Sequence, residues 1–387
     1  MTDTTEPGKP VAAAGDWLLY GAYGYTGRLL AKEAVTRGHR PILAGRRLEP
    51  LQTLREELGQ PLELRPFPLD EPQRLDEGLR GVRGVLHAAG PFVETAEPMM
   101  DACLRRGVHY LDITGEVPVF EAAFSRDPEA KRRGIVFMPG VGLDVIPTDG
   151  VAARLHLALP TARRLELALH SPGRPSSGTM QTIVEAIPKG LQVRRDGVLQ
   201  GARPMSRSFR RKVDFGPEKP WGPMKGRMGG ERSVAPYTWG DLATAWRTTG
   251  IPDITCYLST PPAQARILPW ALPVLRIVLQ REFPRRWARR RIAGGAEGPS
   301  EHQRNAGRTR AWGRVEDDSG GAAEMVVEFP EGYRFTAEAG VRAMEGVLEA
   351  TVARSDTPCK GTLTPAGAFG AHWIFRLPGV EVVVEPG

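Results

Sequence analysis

Cysteine is scarce in this sequence, with three residues in a chain of 387. Cys103, Cys256 and Cys359 lie far apart and form no CxxC pair, which argues against a disulfide framework or a zinc site. The sequence also lacks an uninterrupted apolar run of about 18 residues, so we expect no membrane-spanning helix. Residues 1–15 lack the apolar centre of a signal peptide, and we expect them to form a disordered tail. These absences favour a cytoplasmic protein.

Several familiar catalytic motifs are missing as well. No tyrosine is followed by lysine four positions later, and there is no HExxH, GxSxG or P-loop pattern. These absences argue against a short-chain dehydrogenase, a hydrolase or a kinase. Basic residues exceed acidic ones, 52 to 45, giving a formal net charge of +7. This excess suits an anionic partner such as a phosphorylated cofactor or a lipid surface, although a solvated surface alone explains it equally well.

Strand and helix patterns alternate through the first 150 residues. Short apolar runs predict strands, and helical apolar spacing between them predicts helices. The predicted strands are 17–20, 41–44, 62–67, 84–89, 109–113 and 135–138, and the predicted helices are 28–37, 48–58 and 99–106. Such alternation is typical of α/β proteins and predicts a doubly wound parallel sheet over residues 16–148.

The pattern changes after about residue 148. Strand-like segments follow one another with turns between them, including an Asp-Gly turn at Asp196 and Gly197 that predicts a hairpin. The predicted strands are 165–170, 191–199, 208–215, 254–259, 309–316 and 323–328. We therefore expect residues 149–387 to form an α+β substrate domain with a mainly antiparallel sheet. A helix at about 335–352 is expected to return to the first domain.

A glycine-rich loop lies directly between the first strand and the first helix. The first glycine of such a loop permits a tight turn, the second lets the backbone approach a pyrophosphate, and the third lets helix and strand pack closely. Its spacing is GxxGxxG rather than the commoner GxGxxG. In this position the loop predicts a dinucleotide-binding Rossmann domain. The candidate cofactor-binding residues are Gly21, Ala22, Tyr23, Gly24, Tyr25, Thr26 and Gly27.

Arg46 indicates which dinucleotide is bound. It follows the second strand, with Arg47 beside it, about 20 residues beyond the glycine loop, where NAD enzymes usually carry an acidic residue for the ribose 2′-hydroxyl. No acidic residue lies there. A guanidinium can instead pair with the 2′-phosphate of NADP. We therefore predict NADP as the cofactor, the alternative being a surface arginine.

Two further loops are expected at the carboxyl edge of the sheet, where ligands bind in such folds. One follows the fourth strand, and its small residues Ala88, Ala89, Gly90 and Pro91 would let a dinucleotide lie against the backbone. The other follows the third strand and contains Asp70. This residue either borders the adenine or caps a helix ahead of Pro72.

Six stretches spread along most of the chain form an ordered set of motifs. They are Tyr20–Ala31 (YGAYGYTGRLLA), Leu86–Phe92 (LHAAGPF), Tyr110–Glu116 (YLDITGE), Pro139–Asp149 (PGVGLDVIPTD), Thr238–Gly250 (TWGDLATAWRTTG) and Gly361–Gly370 (GTLTPAGAFG). With these motifs the sequence resembles the saccharopine dehydrogenase-like reductases, and among them the trans-acting enoyl reductase branch. This resemblance implies a Rossmann domain followed by an α+β substrate domain, and hydride transfer from a nicotinamide cofactor. Relatives in the branch are associated with reducing carbon–carbon double bonds on polyketide or lipid chains, and the true saccharopine reductases act on an amino-acid imine.

Candidate residues for catalysis and substrate binding follow from their position after strands. Asp144 and Asp149 are the candidate catalytic acids, although Asp144 can instead fasten a turn and Asp149 can cap a helix. Glu116 is either a contact to the cofactor's ribose or nicotinamide amide or a solvated loop carboxylate. Thr179 and Asp241 are candidate substrate contacts, with helix capping as the alternative for both. Water can also supply the proton, so no donor is obligatory.

The segment 267–292 combines apolar residues, two tryptophans and an arginine cluster. This composition suits an interfacial helix on anionic lipid. It equally suits a helix packed over the substrate domain with an exposed basic end, which we favour because such helices are commoner. Pro269 and Pro273 are expected to break or kink the helix. No nucleic-acid-binding fold is recognisable.

The leading hypothesis is an NADP-dependent reductase that acts on an activated C=C or C=N bond of a small molecule or acyl chain. The alternative is a non-catalytic NADP-binding redox sensor or membrane-surface scaffold. A homodimer is included among the expected assemblies.

Overall fold

The structure is a computed structural model. It describes residues 16–171, 173, 176–202, 211–220, 227–293, 298–352 and 359–386. The expected tail at residues 1–15 lies outside the described residues.

Strands and helices alternate from Trp17 to Met138. The strands are β1 (Trp17–Tyr20), β2 (Ile42–Gly45), β3 (Leu64–Pro66), β4 (Gly84–His87), β5 (His109–Asp112) and β6 (Val136–Met138). The helices are α1 (Tyr25–Thr36), α2 (Leu48–Leu58), α3 (Pro72–Gly78), α4 (Phe92–Arg106), α5 (Val117–Ser125) and α6 (Asp127–Arg133). Five of these strands, all but β3, are buried along their whole length, because they are largely apolar runs covered on both faces.

The remaining elements follow β6 in the chain, and most of them build a second sheet and the helices around it. The helices are α7 (Ile146–Ala158), α8 (Ser177–Ala186), α9 (Asp241–Thr249), α10 (Pro262–Leu279), α11 (Glu282–Ala293), α12 (Glu301–Ala306), α13 (Gly332–Val352) and α14 (Pro365–Phe369). The strands are β7 (Arg164–His170), β8 (Gln192–Arg195), β9 (Val198–Gly201), β10 (Lys212–Asp214), β11 (Lys219–Pro220), β12 (Arg227–Met228), β13 (Glu231–Pro236), β14 (Asp253–Ser259), β15 (Arg308–Glu316), β16 (Ala322–Pro330), β17 (Gly361–Thr362) and β18 (Glu381–Val384).

The first sheet is parallel throughout, in the order β17-β6-β5-β4-β1-β2-β3. The strand order reverses between β1 and β4, which is the point where doubly wound sheets bind ligands beyond their carboxyl ends. The predicted parallel, doubly wound fold of the N-terminal region is therefore confirmed.

The second sheet is mainly antiparallel, in the order β10-β13-β14-β7-β15-β16-β18, with β7 and β14 as its parallel pair. Strand β8 pairs with β14 and with β9, and the β8–β9 turn carries Asp196 at φ 48° and Gly197 at φ 76°. These positive φ values are those of the predicted Asp-Gly hairpin. The expected α+β architecture with a mainly antiparallel sheet is confirmed.

Helix α13 lies against the first sheet although it follows the second in sequence. It packs on α1 and β4, and Met344 fills the space that a side chain at Gly84 would need. Strand β17 then extends the first sheet beside β6. The chain therefore crosses from the first sheet to the second and back. The domain boundary at residue 148 stays a prediction.

Two local expectations are wrong. Helix α4 begins at Phe92 rather than at residue 99, with Pro98 inside it. Helix α3 is preceded by Glu71 as its N-cap, so Asp70 does not cap it. Helix α10 is continuous through Pro269 and Pro273, so neither proline breaks it, while a kink there stays a prediction. Each proline removes one backbone donor, and contacts of α10 with neighbouring elements maintain the helix despite that loss.

We predict that Glu345→Gln destabilises the fold by about 1–3 kcal/mol at neutral pH. Burial raises the pKa of Glu345, but hydrogen bonds from His39 and Arg37 outweigh it and hold the pKa at about 2. Because the folded pKa lies below the ordinary value of 4.5, this stabilisation is complete above about pH 4.5 and is lost as the pH falls toward 2. Urea unfolding of the parent protein and of Glu345→Gln should show this difference in the free energy of unfolding at pH 7 and a smaller difference near pH 3. A constant difference would contradict the assignment.

Candidate functional site

The glycine turn after β1 leaves no room for side chains at two positions. Gly21 has φ +82°, and a Cβ there would lie 2.8 Å from the Cβ of Ala89. A Cβ on Gly27 would lie 2.1 Å from the carbonyl oxygen of Gly21. The first position therefore needs glycine for the turn, and the last needs it for the close packing of α1 on the turn.

The start of α1 presents backbone amides. Its N-cap is Gly24, which provides no side-chain cap. The amides of Gly21 and Ala22 donate to the carbonyl of Ala44 in β2, and the amide of Gly24 donates to the carbonyl of Gly21. The amides of the first helical turn, beginning at Tyr25, have no acceptor inside the helix. With the positive end of the helix dipole, they form an anion site that fits a pyrophosphate. The candidate anion contacts are therefore the amides of residues 25–27 rather than those of Gly21, Ala22 and Gly24, which are already bonded.

The side chain of Tyr25 is occupied elsewhere. Its hydroxyl donates to the carbonyl of Pro299 and accepts a 3.0 Å hydrogen bond from Arg304, while its ring packs on Tyr333. Tyr25 therefore ties the start of α1 to the segment before α12, and only its backbone faces the anion site.

The end of β2 presents two exposed arginines, Arg46 and Arg47. The ring of Tyr23 packs against Gly45, and the Arg47 guanidinium lies 5.6 Å from the centroid of that ring. Arg46 follows Gly45 directly, next to the glycine turn because β2 pairs with β1. The exposed guanidinium of Arg46 can meet a 2′-phosphate there. Asp70, also exposed, follows β3 on the same side of the sheet.

The loop after β4 closes on the glycine turn. The amide of Ala88 donates to the carbonyl of Tyr20 at 2.8 Å, and the Thr95 hydroxyl donates to the carbonyls of Ala89 at 2.6 Å and Pro91 at 3.2 Å. These bonds hold a chain of small residues, with Gly90 exposed, beside the anion site. Thr95 was not singled out from the sequence.

Glu116 caps a helix from a distance. Its carboxylate accepts hydrogen bonds from the amides of Phe92 at 3.0 Å and Val93 at 3.2 Å, at the start of α4. Burial raises its pKa, and these bonds oppose the rise. The interpretation of Glu116 as a solvated carboxylate is wrong, because the helix amides hold it. The capping ties the loop after β5 to the loop after β4.

Asp112, which the sequence did not single out, fastens the adjacent loops. It is buried and accepts hydrogen bonds from the Tyr110 hydroxyl at 2.6 Å and from the amides of Thr114 and Gly140, both at 2.9 Å. Burial raises its pKa to about 6. Asp112 is the last residue of β5 and lies directly before the polar stretch Thr114–Glu116. A carboxylate at the carboxyl end of a buried strand is a signal that could have identified it.

Asp144 lies in the loop after β6. It is partly exposed, and a Cβ on Gly115 would lie 3.0 Å from its carboxyl oxygen. Burial and the negative charge of Glu116 raise its pKa to about 7. Among the described residues, no hydrogen bond to this carboxyl group is found. Asp144 is therefore a carboxylic acid that is substantially protonated near neutral pH and free to donate.

Two aromatic residues that sequence reasoning missed lie around Asp144. Trp239 donates a hydrogen bond from its indole nitrogen to the backbone carbonyl of Asp144, and its ring packs on Tyr237 at 4.9 Å between centroids. Burial raises the pKa of Tyr237, and the charges of Asp144 and Glu116 add to the rise. A phenol thus lies close to both carboxyl groups. Lys189, exposed, contributes the opposite charge near Glu116.

The other candidate residues lie elsewhere. Asp149 is buried inside α7, where it accepts hydrogen bonds from the Thr248 hydroxyl and from the amide of Ala366, so both oxygens hold neighbouring helices. Asp241 is only 1% exposed at the start of α9, and burial raises its pKa, which argues against direct contact with substrate. The side chain of Thr179, in α8, lies outside the described residues.

Neither a metal site nor a membrane span is found in the described part of the chain. No group of three or more His, Cys, Asp or Glu residues there can hold a metal ion. No described helix is both long and apolar enough to cross a bilayer.

The chain is similar to known proteins in sequence and in fold. Residues 17–138 match the saccharopine dehydrogenase NADP-binding domain. A trans-acting enoyl reductase of Mycobacterium ulcerans is 25% identical over 95% of this chain and 96% of its own length. A putative trans-acting enoyl reductase of Mycobacterium tuberculosis is 25% identical over 96% of this chain and 97% of its length. Apo saccharopine dehydrogenase of Saccharomyces cerevisiae shares the fold, with a TM-score of 0.55 at 12% identity over 96% of this chain and all of the other.

The fold, the anion site and these matches define an NADP-dependent oxidoreductase. More particularly, residues 17–138 match the saccharopine dehydrogenase NADP-binding domain, and nearly the whole chain is similar to trans-acting enoyl reductases, the resemblance that its motifs predicted. An enzyme is thereby favoured over the non-catalytic alternative.

Proposed function

We propose that the protein reduces the carbon–carbon double bond of an enoyl group on an acyl chain, with Asp144 as the proton donor. The observation that carries this proposal is the Asp144 carboxyl group, which is partly exposed, makes no hydrogen bond within the described part of the chain, and has a pKa raised to about 7. The names of the relatives that match nearly the whole chain support the enoyl substrate class.

The cofactor would lie along the carboxyl edge of the first sheet. Arg46 would hold the 2′-phosphate and the amides at the start of α1 would hold the pyrophosphate. The small loop from Ala88 to Pro91 would let the dinucleotide pass toward β5 and β6, and its reacting end would then lie beside Gly115 and Asp144. Bound NADPH supplies a hydride.

Asp144 can complete the reduction that hydride transfer begins. A hydride added to the β-carbon of an enoyl thioester leaves negative charge on the α-carbon and the carbonyl oxygen. The Asp144 carboxyl group then gives its proton to the α-carbon, and its carboxylate recovers a proton from water. Glu116 aids this step because its charge keeps Asp144 protonated at higher pH.

A substrate panel tests the proposal. NADPH oxidation would be followed with enoyl thioesters, a cyclic imine and a 2-keto acid, each as the sole acceptor, and the product would be identified by mass. We expect turnover of the enoyl thioesters, with a mass gain of two hydrogens. Turnover confined to the imine or the keto acid would contradict the proposal. NADPH binding without turnover of any acceptor would instead support the alternative of a non-catalytic NADP-binding redox sensor or scaffold.

A further inference from the structure

The helix pair α10 and α11 presents an apolar surface to solvent. In α10 only Ala265 and Leu279 are buried. We expected this segment to pack its apolar residues over the substrate domain, but most of them face solvent instead. Eight of the twelve exposed large hydrophobic residues in the described chain lie here. They define the α10–α11 surface: Ile267, Trp270, Val274, Leu275, Ile277, Val278, Phe283 and Trp287.

The spacing of these residues places them on common faces. Ile267, Trp270, Val274 and Ile277 follow one another at intervals of three or four residues, which aligns them along one side of α10. Trp270 is 68% exposed and Phe283 81% exposed. An apolar stripe that faces water in a folded chain marks an interaction surface.

The charge on the same helices indicates the partner. Residues 262–293 contain eight arginines and one acidic residue, Glu282, a net charge of +7 that equals the formal net charge of the whole chain. The exposed arginines include Arg266, Arg281 and Arg286. The basic excess of this protein is therefore concentrated where its apolar side chains are exposed.

We propose that the α10–α11 surface docks on an anionic lipid bilayer. Tryptophan and aliphatic side chains would enter the headgroup boundary while the arginines meet lipid phosphates and carboxylates. A second copy of the chain is a poor partner, because a two-fold contact would bring the same positive surface against itself. A bilayer supplies both the apolar phase and the opposite charge.

The inner side of these helices connects the docking surface to the site. Arg276 donates a 3.2 Å hydrogen bond to the carbonyl of Pro188, and Arg285 lies 4.0 Å from Glu185. Glu185 and Lys189 in turn act electrostatically on Glu116, beside the proposed proton donor. The 3-10 turn Ile187–Lys189 thus separates the surface from the site. Docking would present the site to apolar chains held in the bilayer, a consequence that rests on the proposed function.

Vesicle flotation of the full chain tests the docking proposal without any substrate. We expect binding to phosphatidylcholine vesicles that contain phosphatidylglycerol, little binding to phosphatidylcholine alone, and weakening by salt. Each arginine near an anionic surface strengthens partition roughly fivefold, so Arg281→Glu with Arg286→Glu should weaken it by at least about 25-fold. Trp270→Ser with Trp287→Ser should also release the protein.

Leu157→Ser with Val198→Ser is the matched control, because these residues are 58% and 59% exposed outside the surface. This variant should float like the parent protein. Absence of flotation with phosphatidylglycerol, or equal flotation with both vesicle types, would overturn the proposal. Self-association that the tryptophan variant abolishes, without vesicle binding, would assign the surface to a second copy instead. Vesicle binding is independent of turnover, so its failure is distinguishable from failure of the proposed reaction.

Discussion

Asp144→Asn is expected to reduce kcat for the enoyl substrate by about 10²–10⁴-fold, the usual contribution of a general acid. Asparagine keeps the shape of the side chain but has no acidic proton to give to the α-carbon. NADPH affinity should remain within about twofold, because the amides and the arginine that hold the cofactor are unchanged. Stopped-flow reduction and a fluorescence titration with NADPH measure the two quantities separately.

The pH profile tests the same assignment. Burial and the charge of Glu116 raise the Asp144 pKa to about 7, and the donor must be protonated to act. The kcat of the parent enzyme should therefore fall as the pH rises through about 7. Asp144→Asn should lose this dependence along with its rate, and a variant that kept the profile would contradict the role of Asp144.

Stability should move in the opposite direction from activity. The folded pKa of Asp144 lies above the ordinary value of 3.8, so the fold favours the protonated form. The associated stabilisation is present below about pH 4 and is lost as the pH rises through about 7. At pH 8 the asparagine variant should be more stable than the parent by roughly 2 kcal/mol, with no difference at pH 4. A residue that merely supported the fold would lose stability instead.

Tyr237→Phe is the matched comparison, because its phenol is an alternative proton donor close to Asp144. We expect it to retain most of the parent's activity and the fall above pH 7. A larger loss in Tyr237→Phe than in Asp144→Asn would transfer the donor role to the phenol.

The parts of this structure that local chemistry controls were predictable from the sequence. The buried run of β1 and the glycines at positions 21 and 27 give the strand, the turn and the anion site, because each is determined by a few consecutive residues. The Asp-Gly hairpin at residues 196 and 197 belongs to the same category.

Contacts between distant segments were not predictable in this way. Glu116 caps a helix that begins 24 residues earlier, and Tyr237 approaches Asp144 from the loop directly after β13. Asp149 looks like a catalytic acid in sequence, yet α9 and α14 occupy both of its oxygens. Helical spacing indicates that α10 has an apolar side, but the side that faces solvent depends on what packs against it.

Arg46→Ala is expected to weaken NADPH binding by about 10- to 100-fold and to leave NADH binding nearly unchanged. A bidentate, charge-assisted contact between Arg46 and the 2′-phosphate contributes roughly 1.5–3 kcal/mol to the binding free energy of NADPH. NADH has no 2′-phosphate, so its binding does not depend on this contact. Calorimetric titration with both dinucleotides measures the ratio directly. Equal losses for the two cofactors would show that Arg46 supports the site without choosing between them.

Arg47→Ala is the matched control, because Arg47 has the same charge and exposure but its guanidinium lies by the ring of Tyr23. We expect it to change the NADPH preference much less, and a full loss of preference in this variant would move the phosphate contact to Arg47. Arg46→Asp should go further than alanine, because a carboxylate at the end of β2 repels the 2′-phosphate and can accept a hydrogen bond from the ribose 2′-hydroxyl of NADH. The order of NADPH affinity should therefore be parent, alanine, aspartate, while NADH affinity is highest in the aspartate variant. We expect this one substitution to reverse the cofactor preference, because the parent sequence has no other acidic residue at the end of β2 to bind the ribose 2′-hydroxyl.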